Sequence, residues 1–151
     1  MQHTFEVNKT TRRWVAQFLE NHTLEQLNRI PEGFSNNLIW NIGHIVVTQQ
    51  LLVYKLSGLP IMVSDEMVEK YRKGTTPEQD ATQEEVDVIK SLLHKTIEQS
   101  ENDYINAAFK TFQEYQTSTG FVLKNVKGAM HFNNMHEGIH IGMMMNIKKF
   151  I

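Results

Sequence analysis

The sequence predicts an all-α protein, a four-helix bundle with a long crossover between its second and third helices. Three observations lead there. Apolar residues recur at helical spacing in four long stretches of the 151-residue chain. Capping matches and Gly or Pro residues punctuate those stretches, and no convincing set of alternating strands is found. Four amphipathic helices packed on one core are the economical arrangement of such elements, and one domain spanning residues 1–151 is expected.

The first helix runs from about Asn8 to Asn21, with Trp14, Val15, Phe18 and Leu19 at helical spacing and Arg12, Arg13, Gln17 and Glu20 elsewhere on its surface. Thr23-Leu24-Glu25-Gln26 matches a capping box and opens a short turn that Pro31 and Gly33 end. Ser35 or Asn36 caps the second helix, which runs from Asn36 to Ser57 and stops at Gly58, where a positive φ is expected. This helix is apolar on two sides, with Leu38, Ile42, Ile45, Leu52 and Leu56 on one and Trp40, Val47, Leu51 and Tyr54 on the other. Cover on both sides is expected, from the bundle core and from a partner subunit. His44 lies near the second stripe, and Asn37, Asn41 and Thr48 fall within about 60° of it around the helix. Such a polar sector either meets water or surrounds a site.

Residues 59–81 read as a connector, with one turn from Ser64-Asp65-Glu66 through Lys70 and a break at Lys73-Gly74-Thr75-Thr76-Pro77. Thr82-Gln83-Glu84-Glu85 is a second capping-box match and opens the third helix, patterned by Val86, Ile89, Leu93, Ile97, Tyr104 and Ala108. Tyr115 to Gly120 is turn-like, Phe121-Val122-Leu123 is a short apolar run, and the fourth helix runs from near Asn125 almost to Ile151. Its core-facing stripe reads Ala129, Phe132, Asn133, His136, His140, Met143 and Ile147.

Composition narrows the chemistry. With no cysteine, disulfides, thiolate metal sites and a cysteine nucleophile are excluded, so a metal relies on imidazole, carboxylate or water, and seven histidines supply the imidazole. Fifteen basic against seventeen acidic residues, spread along the chain, make no basic patch to follow a phosphate backbone, so no nucleic-acid partner is expected. Met1-Gln2-His3-Thr4-Phe5-Glu6 has neither a basic start nor an apolar core, and no window approaches the ~20 apolar residues of a membrane span. A soluble, cytoplasmic protein is expected.

His136 and His140 stand one helical turn apart in the core stripe, a spacing that suits two ligands of one metal ion or two hydrogen-bonded core imidazoles. His44 is the natural third ligand. His94 is a reserve on the third helix, although Ser91, Lys95 and Glu98 around it mark an exposed face. His131 lies about 180° from His140, and His3 and His22 fall near tails and helix ends. Met143-Met144-Met145 reads as core packing rather than a copper site. Asn41 and Asn133, each near one of the histidines on its own helix, could orient an imidazole, contact a bound ligand, or be plain core-edge amides.

Letter by letter, His136-Glu137-x-x-His140 is also the pattern of zinc proteases. Those enzymes take a third protein ligand, usually downstream, but the eleven residues after His140 contain no His, Asp or Glu. Met143 also stands where the extended motif needs Gly, and no sheet offers an edge for an extended substrate. Glu137, about 100° around the helix from His136, reads as a surface or packing carboxylate rather than a general base.

Asn37-Leu38-Ile39-Trp40-Asn41-Ile42-Gly43-His44-Ile45 followed by His136-Glu137-Gly138-Ile139-His140-Ile141-Gly142 resembles the DinB/YfiT-like metalloenzyme family of four-helix bundles, over nearly the whole chain. The resemblance implies a divalent metal, usually nickel or zinc, held by three histidines that map onto His44, His136 and His140. It also implies a homodimer, a small-molecule substrate and a low-molecular-weight thiol as cosubstrate, as in relatives that are S-transferases or isomerases using bacillithiol, mycothiol or glutathione. The alternatives are a metal-binding or dimeric interaction protein with a vestigial site, and a metal-dependent hydrolase.

Overall fold

A computed structural model describes residues 1–151. Four long helical segments form the bundle: α1 (Gln2–Glu20), α3 (Leu38–Gln49), α5 (Gln83–Ile105) and α6 (Val126–Ile147). The short α2 (Leu24–Asn28) and α4 (Asp65–Tyr71) sit in the connections, α4 within the long crossover from α3 to α5. The expected all-α bundle is what the chain forms, apart from a two-stranded antiparallel ribbon, β1 (Tyr115–Gln116) with β2 (Val122–Leu123). At two residues each, these strands are too short to show an alternating pattern.

The caps explain where the helices begin. Thr23 and Gln26 make the full reciprocal box at α2. Thr82 caps α5 through Glu85 N, but the Glu85 side chain turns away to accept Tyr71 Oη at 2.6 Å and Lys70 Nζ at 2.7 Å, tying α4 to α5. Asn37, rather than Ser35 or Asn36, caps α3, its Oδ1 accepting from Trp40 N at 2.9 Å. After Gln49 the helix widens into a π turn (Gln50–Tyr54), then tightens at Lys55–Ser57 and ends at Gly58 with φ +70°. Along the wide turn two consecutive glutamines are buried: Gln49 donates to Ser100 Oγ, and Gln50 donates to Gln49 Oε1 while accepting from Met62 N.

Both apolar sides of α3 are covered by the chain itself, since every residue from Leu38 to Val47 is buried. The partner subunit inferred from that second stripe is therefore not needed to cover it. On α6, Met135, Ile139, Met143 and Met145 are exposed.

Two expectations for α1 and α6 are corrected. Trp14 is 48% exposed, whereas Arg12 is fully buried. Arg12 Nε and Nη2 donate to Glu137 Oε1 at 2.9 and 2.8 Å, with longer contacts to the carbonyls of Ile45 (3.4 Å) and Leu93 (3.5 Å). One guanidinium thus reaches the other three long helices. Because Glu137 goes inward to meet it, the buried face of α6 centres on Asn133, Glu137, His140, Ile141 and Met144, and Met143 is turned to the surface. Hydrophobic periodicity cannot anticipate a buried ion pair, because each charge is tolerated inside only through its partner.

Candidate metal centre

Helices α3 and α6 pack side by side and bring His44, His136 and His140 together, with one ring nitrogen of each within 4.8 Å of the others. His44 Nε2 and His136 Nε2 are 3.2 Å apart. His44 and His140 are buried and His136 is half-buried, so His136 marks the side from which solvent reaches the cluster. The other histidines lie outside it: His94 and His131 are exposed, His131 meeting Thr4 Oγ1, while His22 binds Phe18 O.

The surroundings dictate which nitrogens face inward. His44 Nδ1 lies 2.7 Å from Tyr71 O; a carbonyl only accepts, so Nδ1 carries the proton and Nε2 keeps its lone pair. Asn41 Nδ2 donates to Asn37 O and Asn36 Oδ1, which turns Asn41 Oδ1 towards His140 Nδ1 at 2.8 Å. His140 is thereby held with Nδ1 protonated and a lone pair on Nε2. Trp40 stacks on His44 with ring centroids 4.7 Å apart. Thr48 Oγ1 is 3.3 Å from His44 Nε2 at the half-buried rim.

This donor set fits a divalent ion that accepts imidazole. His44 and His140 each keep a lone pair on Nε2, and the 3.2 Å between His44 Nε2 and His136 Nε2 is close to the ~3.3 Å expected of nitrogens sharing a tetrahedral ion. His136 Nδ1, in contrast, is buried without a partner, so this ring alone lacks an orienting bond.

Electrostatics keep the rings neutral. Burial pushes His44 down, pushes His136 to about 3 with help from His140, His44 and Arg12, and pushes His140 to about 4 with help from His44. Metal-free folded protein therefore binds fewer protons here than the unfolded chain at pH values between about 6.5 and 3. Stability is full above that window, falls as pH drops through it and levels off below. Urea midpoints of chelator-treated protein should be lower at about pH 5 than at about pH 7.5, where most carboxylates stay ionised. Equal midpoints would show that the rings take up no protons on unfolding.

The residues that orient the site were only partly visible beforehand. Asn41 was. Asn133 hydrogen-bonds no imidazole; its Nδ2 donates to Glu137 Oε1 at 2.8 Å. Of the two readings of Glu137, surface or packing carboxylate, the structure has the second: it is fully buried and paired with Arg12. Tyr71 acts through its backbone carbonyl, which leaves no side-chain signature.

Gly43 permits that contact. A Cβ here would lie 2.5 Å from Tyr71 Cδ1, against a ring that is itself buried. Gly43→Ala should cost about 1–3 kcal/mol in urea denaturation and weaken metal binding by displacing Tyr71 O from His44. Unchanged stability and affinity would show that α4 yields freely.

The fold and this cluster define a class, a helical bundle whose facing helices present three histidines able to hold a metal ion. The sequence profile of the DinB superfamily matches residues 8–144, and the chain belongs to that superfamily. The crystal structure of a conserved protein from Enterococcus faecalis is similar over 99% of this chain and 95% of that one, with a TM-score of 0.65 and 13% identity, a likeness of fold. No curated protein matches in sequence.

Proposed function

We propose that this protein is a metal-dependent enzyme that joins a small thiol to an electrophilic small molecule, with nickel or zinc held by His44, His136 and His140. The observation that carries this reading is the set of inward imidazole nitrogens, two of them oriented from behind by Tyr71 O and Asn41 Oδ1. Three protein ligands leave an open position, the mark of a catalytic rather than a structural site. A divalent ion there supplies a Lewis acid that lowers the pKa of a thiol or water at that position.

The chain's own contribution is positioning and exclusion of water. Trp40 and Tyr71 close the buried side of His44, and Thr48 stands at the rim. Phe132, Ile139 and Met143 lie within about 60° of His136 around α6 and are half-buried or exposed, giving an apolar flank for the body of an electrophile. In the transfer, sulfur forms a bond to carbon, the leaving group departs with its electron pair, and the thiol proton passes to solvent.

Thiol consumption with a haloaromatic electrophile tests the reaction, using protein loaded with zinc or nickel and glutathione, bacillithiol or mycothiol as the thiol. A metal-dependent rate well above that of the His136→Ala protein is expected. No excess over that variant with any of the three thiols counts against transfer. Hydrolysis by metal-activated water is the second reading, favoured only if an ester or amide is cleaved without thiol.

A further inference from the structure

The Arg12–Glu137 ion pair bridges positions directly next to two of the three histidines in the chain. Glu137 follows His136 on α6, and Ile45, whose carbonyl Arg12 also contacts, follows His44 on α3. Both side chains of the pair are fully buried, so neither charge is screened by water. Glu137 Oε1 accepts from Arg12 Nε, Arg12 Nη2 and Asn133 Nδ2, which fixes the carboxylate against the guanidinium.

We infer that Arg12 and Glu137 form a charge-neutral clamp behind the three histidines: Arg12 joins the two helices that carry them, and Glu137 cancels the positive charge that would otherwise repel a metal ion. This inference rests on the metal-binding reading. A buried cation is a poor neighbour for a second, divalent one, because their repulsion is strong at low dielectric.

Glu137 is thus a positioning residue, which gives the Glu of His136-Glu137-x-x-His140 a role unlike the general base of a protease. The clamp makes a prediction that a purely structural contact does not. Glu137→Gln keeps the shape but unmasks Arg12, whereas Arg12→Met/Glu137→Leu removes both charges together.

Zinc affinity is measured by competition with a chromophoric chelator for wild type, Glu137→Gln and the double variant, with folding of each checked by circular dichroism. Glu137→Gln should weaken zinc by about tenfold or more. The double variant should return to within about threefold of wild type, since a buried ion pair can often be replaced by apolar groups without loss of fold. A double variant as weak as the single one, or a single variant equal to wild type, overturns the inference. Should Glu137→Gln fail to fold, Arg12→Met read beside the double variant decides: tighter zinc in Arg12→Met, where the Glu137 carboxylate is unmasked, supports the charge balance, and equal or weaker affinity overturns it. A wild type that binds no zinc or nickel overturns the metal reading itself and the inference with it, a result distinct from failure in the variants alone.

Discussion

Purified wild-type protein, prepared without an affinity tag and incubated with zinc or nickel, is expected to retain about one ion per chain, and His44→Ala, His136→Ala and His140→Ala are each expected to lose it. The lone pairs on His44 and His140 are aimed by Tyr71 O and Asn41 Oδ1, so removing any one ring leaves two protein ligands where three converge. The loss should exceed the roughly 10–100-fold typical of removing an outer hydrogen-bond partner. Asn41→Ala supplies that milder comparison, since it frees His140 Nδ1 but leaves all three rings. Elemental analysis after dialysis, together with chelator competition, reads both effects. Wild type free of metal, or variants that bind as well as wild type, would return the three histidines to the role of hydrogen-bonded core residues.

Arg12→Ala is expected to cause the largest loss of stability of any single substitution considered, about 3–5 kcal/mol. The mechanism is the residue left behind: Glu137 keeps Asn133 as its one remaining donor and is fully buried, and the carbonyls of Ile45 and Leu93 lose their contacts. Arg13→Ala is the matched control. The Arg13 side chain is exposed, its one side-chain bond is to Thr10 on the same helix, and its change should fall within about ±0.5 kcal/mol. Urea denaturation in the presence of chelator separates these effects from any metal contribution. A loss below about 1 kcal/mol for Arg12→Ala would mean that water reaches Glu137 and that the pair is not sealed in the folded protein.

Elements governed by local rules were readable in the chain. The 3.6-residue period found all four long helices, although α1 begins at Gln2 rather than near Asn8 and α5 ends at Ile105, short of Ala108; Gly58 ended the second where a left-handed residue was needed, and Thr23 and Thr82 capped as their spacing required. The pair His136 and His140 is likewise local, one turn on one helix. Asn41 was within reach of the same reasoning because it shares a helical sector with His44.

Other features answer to partners distant in sequence. Arg12 and Glu137 are each polar residues in an amphipathic pattern, and periodicity assigns such residues to the surface unless a countercharge from another helix meets them. Their pairing also decided the rotation of α6, which buried Glu137 and Met144 and left Met143 exposed. The carbonyl of Tyr71 could not have been found at all, since every residue has one and only the packing of α4 against Gly43 brings this one to His44.

The sequence by itself determined which stretches are helical and which histidines share a helix face, because these follow from backbone propensity and the repeat of a single helix. Tertiary structure decided which nitrogens face inward and which charges are buried, because a proton's place on a ring and the cost of an enclosed charge depend on atoms that only folding brings within a few ångströms.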